Sequence, residues 1–300
     1  MGEVVVEVHA ASINPLDWHA VRGAPFIARL SGGLHRPKDI RLGADVAGRV
    51  ESVGAGAGSF ESGDEVFGAW TGSLAEYAAV REDRLVPKPA NISYEAAAAV
   101  PVAATTALQG LRDFGKIKPG QRVLVNGASG GVGSFAVQIA KSFETEVTGV
   151  CSTRNLEMVR SIGADHVVDY TKEDFTRSGQ RYDLIFDAVG NRSISDYKRA
   201  LGPQGICSIA GFSGMPSLFE HAVLGRMRSS KGGKKVGLMG IAKINQKDLT
   251  LLKELLESRK VTPVIDSRYP LEKTSEALGY LESGHARGKV IITVRHDDRK

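Results

Sequence analysis

The stretch Gln121 to Lys141 reads QRVLVNGASGGVGSFAVQIAK. It opens on an apolar run, Val123-Leu124-Val125, of the kind that forms a strand buried on both faces. A glycine-rich turn follows, Asn126-Gly127-Ala128-Ser129-Gly130-Gly131-Val132-Gly133, and then an apolar helical pattern through Phe135, Ala136, Ile139 and Ala140. The order strand, glycine turn, helix gives such a pattern its meaning. A helix N-terminus offers free backbone N–H groups and the positive end of its dipole to an anion, and glycines keep side chains out of the approach. The spacing is GxxGGxG, not the strict GxGxxG. In its context it predicts a site for the pyrophosphate of a dinucleotide at this turn, with Gly130, Gly131 and Gly133 among the glycines that line the approach; the alternative is a purely structural turn.

The next strand, Glu146 to Cys151, bears on which dinucleotide. A site for NAD usually places Asp or Glu at the end of this strand, about 20 residues past the turn. Here the chain reads Cys151-Ser152-Thr153-Arg154-Asn155. A hydroxyl and a guanidinium suit a 2′-phosphate that a carboxylate would repel, so NADP(H) is the expected cofactor. The alternative is that Ser152 merely caps the helix that follows and Arg154 is solvated.

Outward from this stretch, strand and helix signals alternate. Strands are expected at Arg122–Asn126, Glu146–Cys151, His166–Asp169, Leu184–Asp187, Ile206–Ala210 and Val236–Gly240. Helices are expected around Ser134–Ser142, Leu156–Ile162, Ser193–Leu201 and Gln246–Arg259. That is a doubly wound α/β domain with a parallel sheet. The first 90 or so residues read differently, as short strands with frequent turns: Glu3–Ile13, Leu42–Val53, Phe60–Gly68, Leu74–Val80 and Arg84–Pro87. Pro15 begins a short helix that ends near Gly23. Pro101 divides the alanine-rich stretch Ser93–Leu111, and an alternating strand, Lys289–Val294, ends the chain. Ala24–Ile40 is a long loop with two prolines and two glycines, of the kind that serves as a lid.

Among the 300 residues, 42% are hydrophobic and 24% charged, the composition of a soluble globular protein. No apolar run approaches the roughly 20 residues of a membrane span, and no signal-type start is evident. The net charge of +5 is spread along the chain. Its short clusters, such as Lys231-Gly232-Gly233-Lys234-Lys235, read as solvated loops without a nucleic-acid motif. The two cysteines, Cys151 and Cys207, show no metal spacing. As buried reduced thiols they fit a cytoplasmic protein.

Five segments in order, GADVAGRVESVG, SGDEVFG, GSLAEYAAV, AAAVPVAATTALQGL and VLVNGASGGVGSFAVQIAK, with the ending GHARGKVIITV, resemble the medium-chain dehydrogenase/reductase superfamily. Within it the chain looks like the zinc-free, zeta-crystallin-like quinone oxidoreductase branch. The resemblance implies a Rossmann domain inserted in a β-rich GroES-like catalytic domain. Residues 1–95 would begin the catalytic domain, 96–242 would bind NADP(H), and 243–300 would return to it, with the cofactor in the cleft. Members of the branch carry further residues before the stretch matching Glu3, so the catalytic part would be short at its start.

The resemblance also implies roles. Ser129, Gly131 and Val132 match the pyrophosphate loop, and Ser152, Arg154 and Tyr170 match positions near the 2′-phosphate and adenine. Thr106 matches a threonine beside the nicotinamide, Gly211 and Phe212 the segment over its ribose, and His285, Ala286 and Arg287 the C-terminal return near the cofactor. Asn14 matches a pocket residue. Zinc-dependent relatives place ligands where this chain has Asn14, Ala44 and Val102, none of which replaces its ligand in a usual zinc site. The expected activity is hydride transfer from NADPH to a small molecule, a quinone or an activated alkene, with no metal and no assigned catalytic acid. His19 and His35 read as surface residues.

Two other readings stand beside it. One is a 2-enoyl thioester reductase, suggested by Asn14-Pro15-Leu16-Asp17, with Arg226, Arg228 and Lys231 as weak candidates for holding a carrier. The other is a non-catalytic NADPH-binding protein. A homodimer is implied through an edge strand near Val236–Gly240, and acceptor choice would lie in Ala24–Ile40 and Ser213–Lys235.

Overall fold

The computed structural model describes residues 2–23, 41–212 and 233–294. The lid segment Ala24–Ile40, His35, the carrier candidates Arg226, Arg228 and Lys231, and most of Ser213–Lys235 lie outside the described residues. The chain divides into two units. One comprises Met1–Thr105, Ile244–Arg259 and Pro263–Lys300, and the other Thr106–Lys243 with Lys260–Thr262. The sequence reading set its boundary at 95/96. The short helix Tyr94–Ala98 instead packs on strands of the first unit, which carries the division past it.

The first unit is built around β1, Glu3–Ile13, whose alternating burial marks a strand with one face on a core. β2 (Asp45–Val53), β3 (Glu65–Ala69), β4 (Tyr77–Arg81) and β5 (Leu85–Pro87) follow. The sheet runs β12 (Ile265–Pro270), β13 (Lys289–Thr293), β1, β2, β3, β5, with β4 also paired to β1. Val4, Val6, Val8, Ile13, Val46, Leu85, Val290 and Ile292 share its core. Each such side chain contributes about 1.5–3 kcal/mol of burial. Helix α1 (Pro15–Arg22) starts at Asn14 with a capping box, in which the Asn14 N–H donates to Asp17, and stops at Gly23 in the left-handed region. α2 is Tyr94–Ala98, and α3 begins at Pro101 and runs to Gln109, so Pro101 divides the alanine-rich stretch in two as expected, at the first position of the second helix.

The second unit holds six parallel strands: β6 (Arg122–Asn126), β7 (Glu146–Cys151), β8 (His166–Asp169), β9 (Tyr182–Asp187), β10 (Leu201–Ile209) and β11 (Lys235–Leu238). Their spatial order is β11-β10-β9-β6-β7-β8, a Rossmann-like arrangement whose order reverses between β6 and β9. Helices α4 (Gly131–Ser142), α5 (Leu156–Ser161) and α6 (Ile194–Ala200) connect them. This matches the expected doubly wound sheet, with β9 and β10 starting earlier than their apolar runs suggested. Cys151 and Cys207 are both buried and free, and burial pushes the Cys151 thiol up to about 11. α7 (Gln246–Glu257) returns the chain to the first unit.

The sequence reading missed β12 and α8 (Thr274–Glu282). β12 shows no clean alternation of burial and ends on Pro270, while α8 has one fully buried residue, Ala277. Both are held by tertiary neighbours: β12 pairs in parallel with β13, and α8 packs on β1 and β13.

Candidate functional site

In a doubly wound sheet, ligands bind beyond the C-terminal strand ends where the order reverses. Here that point is the β6–β9 pair, with Asn126 opposite Asp187. Asp187 is fully buried and accepts from the Val189 and Gly190 N–H groups at 2.7 and 2.8 Å, from Asn126 Nδ2 at 3.2 Å, and from the Tyr197 hydroxyl. Burial, with the Asp187 charge, pushes the Tyr197 phenol far up. One carboxylate thus shapes the loop after β9. Gly190 and Gly211 meet there so closely that a Cβ on either would collide with backbone, at 2.2 and 2.1 Å. Gly211 therefore has a structural reason to be glycine, and Phe212 beside it is 37% exposed.

The turn after β6 is tied to the end of β7, since the Gly127 and Ala128 N–H groups both donate to the Val150 carbonyl. Gly127 has a φ of +80°, which favours glycine. A Cβ on Gly133 would lie 2.0 Å from the Gly127 carbonyl oxygen, whereas one on Gly130 would meet only that oxygen at 3.5 Å. Gly133 serves the packing of α4 on the turn, while Gly130 opens a cradle at a helix start that no side chain caps. A pyrophosphate fits such a cradle. Gly130→Ala is therefore expected to leave the unfolding midpoint in place and to weaken dinucleotide binding, and Gly133→Ala to cost about 1–3 kcal/mol of stability. Thermal melts with and without dinucleotide separate the two, and equal destabilisation by both would refute the cradle.

At the end of β7, Ser152 begins the turn Thr153–Asn155 without capping it through its side chain, which removes the capping alternative. Asn155 is buried, and its Nδ2 donates to Ser129 Oγ at 3.0 Å and to Ser152 Oγ at 3.1 Å. The fold thus brings together Ser129 of the glycine turn and Ser152 of the next strand end. Asn155 Oδ1 is buried without a partner among the described residues. Arg154 is exposed, and Tyr170, one residue past β8, is 56% exposed.

The sequence reading found no acid at the end of β7, but the neighbouring strand ends in one. Asp169 sits opposite Cys151. It accepts from Thr153 Oγ1 at 2.5 Å and Thr171 Oγ1 at 2.7 Å, so its lone pairs are turned into the turn itself. The Thr153 hydroxyl foremost holds the Asp169 carboxyl down at about 2. A folded pKa below the unfolded value of about 3.9 stabilises the native state above that value, and the contribution disappears as pH falls through about 2. Asp169→Asn should therefore be less stable than the parent at neutral pH, with the gap closing towards pH 2. A gap independent of pH in acid-unfolding curves would refute this.

In the first unit, Asn14 lies in a buried network. Asn14 Nδ2 donates to Asp45 Oδ2 at 2.9 Å, and its Oδ1 accepts from Lys289 Nζ at 2.7 Å. Lys289 also lies 3.3 Å from Asp45 Oδ2, and Asp45 accepts from Ser12 Oγ at 2.6 Å and from the Val102 N–H at 2.8 Å. Asp45 is 0% and Lys289 3% exposed. Asp17 accepts from the N–H groups of Asn14 and Gly43, and burial pushes its carboxyl up. Neither Asp45 nor Lys289 was singled out from sequence. Thr106, on α3, falls in the second unit and is half-buried, while the adjacent Thr105 is fully buried with no partner for its hydroxyl among the described residues. His285 is exposed, Ala286 half-buried, and Arg287 is paired with Asp266, its N–H donating at 3.1 Å. No group of three or more potential metal-binding His, Cys, Asp or Glu side chains occurs among the described residues, and none of their helices is long and apolar enough to cross a membrane.

Residues 1–90 match the family model described as alcohol dehydrogenase GroES-like domain, and residues 162–292 that described as zinc-binding dehydrogenase. The second description implies a metal that the first unit does not fit. By the resemblance its ligands would fall at Asn14, Ala44 and Val102, none of them a usual zinc ligand, and the Lys289 ammonium donates to the carbonyl oxygen of Asn14. A quinone-oxidoreductase homolog, chloroplastic, of Spinacia oleracea is 35% identical over 303 residues, covering 97% of this chain and 89% of that protein. An NADPH-dependent alkenal/one oxidoreductase, chloroplastic, of Arabidopsis thaliana is 33% identical over 319 residues, with 97% and 72% covered. The solved quinone oxidoreductase of Coxiella burnetii superposes with a TM-score of 0.84 at 28% identity, covering 98% of this chain and 90% of that one. With both halves of the fold, the glycine cradle and relatives matching along nearly its whole length, the chain belongs to the medium-chain dehydrogenase/reductase family, in its quinone oxidoreductase branch.

Proposed function

We propose that this protein is an NADPH-dependent reductase that delivers hydride to quinones or α,β-unsaturated carbonyls without zinc. The observation that carries the reading is the buried Lys289–Asn14–Asp45 network, whose Asn14 matches a zinc-ligand position of the zinc-dependent relatives. Without a Lewis acid, alcohol oxidation lacks the means to lower the alcohol's pKa. A conjugated carbonyl needs less help, because it takes up hydride and passes the charge to oxygen, where a hydrogen bond or solvent quenches it. NADPH supplies the hydride when bound. Gly130 and the start of α4 hold its pyrophosphate, Ser152 and Arg154 its 2′-phosphate, and Tyr170 its adenine side. Thr106, Gly211, Phe212 and the return His285–Arg287 are assigned to the nicotinamide end. Asn14 carries a second N–H that can face the acceptor oxygen. The names of the spinach and Arabidopsis relatives support this substrate class.

In the Asn14–Asp17 segment that suggested the thioester reading, Asp17 caps α1 and holds Gly43. Pairing of two copies through β11, an edge strand among the described residues, and a cytoplasmic location belong to the proposal. Several relatives carry chloroplastic or mitochondrial in their names. The test is NADPH oxidation followed at 340 nm against a quinone, a short enone, a 2-enoyl-CoA and a simple aldehyde, with NADH in parallel. Turnover of quinone or enone with NADPH is expected. Turnover of the thioester alone, or NADPH binding without turnover of any acceptor, overturns the reading.

A further inference from the structure

The Asn155 side-chain amide links the glycine turn to the end of β7, and its bonds have a direction. An amide nitrogen has two N–H donors and no acceptor capacity. Both are used, one on Ser129 Oγ and one on Ser152 Oγ. Each serine oxygen therefore accepts from Asn155 and keeps its own O–H proton to give away. Neither hydroxyl donates to another group among the described residues. The opposite rotamer of the amide would bury two donors with no acceptor in place of the single unpartnered Oδ1, so the observed direction is the cheaper one. The backbone holds the amide there, with the Asn155 N–H donating to the Ser152 carbonyl at 2.9 Å, and the side chain is 5% exposed.

We propose that Asn155 is a positioning residue that sets the hydrogen-bond polarity of Ser129 and Ser152, turning both into donors for phosphate oxygens of the dinucleotide. The inference rests on the NADPH reading above and deepens it. Arg154 supplies charge next to the site, and Asn155 makes the two neutral hydroxyls point the right way. It explains why a buried amide in this turn tolerates an unsatisfied carbonyl oxygen: both of its donors are committed to the serines. An aspartate at the same place would reverse the polarity, because a carboxylate accepts hydrogen bonds from the serine hydroxyls and leaves the serine lone pairs facing the phosphates.

The test measures binding of 2′,5′-ADP and NADPH by calorimetry, with NADH for comparison, on the full chain. Asn155→Asp is expected to weaken 2′,5′-ADP by about 30-fold or more, in the range lost with charge-assisted hydrogen bonds, and to lower the NADPH-to-NADH preference. Asn155→Ala, which adds no charge and covers the case that the aspartate variant does not fold, is expected to weaken 2′,5′-ADP by about 3- to 10-fold. If Asn155 acts through Ser152, Ser152→Ala with Asn155→Ala together should lose less than the product of the two single losses, a coupling that a purely structural role would not produce. Retained 2′,5′-ADP affinity in Asn155→Asp, or single losses that simply multiply, would overturn the role of Asn155 and leave the NADPH reading standing. Failure of the parent protein to bind 2′,5′-ADP while binding NADH would overturn both.

Discussion

Lys289→Met is expected to lose about 3–5 kcal/mol of stability, the cost of removing one partner from a buried ion pair. The Asp45 carboxylate would remain at 0% exposure, with the Ser12 hydroxyl, the Asn14 amide and the Val102 N–H but no cation. The loss comes from the stranded charge more than from the worth of the pair. Removing the charge as well, in Asp45→Asn with Lys289→Met, should therefore recover a large part of it. Both tryptophans, Trp18 and Trp70, belong to the unit that contains the pair. Denaturant unfolding followed by tryptophan fluorescence reads that unit directly. A loss below about 1 kcal/mol, within the range of exposed ion pairs, would mean that the pair is not desolvated in solution. Lys289 also holds the carbonyl oxygen of Asn14, so any folded single variant should turn over acceptor more slowly at saturating NADPH.

Arg154→Ala is expected to lower kcat/KM with NADPH by about 10- to 150-fold, the worth of about 1.5–3 kcal/mol for a hydrogen bond to a charged group. The value with NADH should change little, because NADH lacks the 2′-phosphate that the guanidinium is proposed to meet. Arg154 is exposed, so salt should weaken the preference of the parent protein and leave the variant nearly indifferent. Steady-state kinetics with both cofactors at two ionic strengths decide the matter. Equal losses with NADPH and NADH would place Arg154 in the architecture of the turn and not at the phosphate. Asp169, close by, does not oppose this arrangement, since its carboxylate is spent on Thr153 and Thr171.

The alternation of strands and helices from Gln121 to Ile209 was legible in sequence because it rests on local causes: apolar runs of strand length, helical periodicity, and glycines where the backbone turns. The start of α1 at Pro15, its stop at Gly23 and the glycine cradle before α4 are local in the same sense. β12 and α8 were not legible, because their hydrophobic patterns are weak and their neighbours lie elsewhere in the chain. The polar interior was hidden for a related reason. Lys289 and Asp45 are 244 positions apart, and only the neighbouring registers of β13, β1 and β2 bring them together. Asn155 reads in sequence as an ordinary turn residue. Its role depends on Ser129, 26 positions earlier, arriving beside Ser152 when the glycine turn ties to Val150. The sequence by itself determined the fold class, because it follows from local pattern and residue type. Tertiary structure alone decided which buried charge is paired and which way the serine hydroxyls point, because a hydrogen bond or an ion pair needs its partner within about 3 Å, and chain spacing carries no such information.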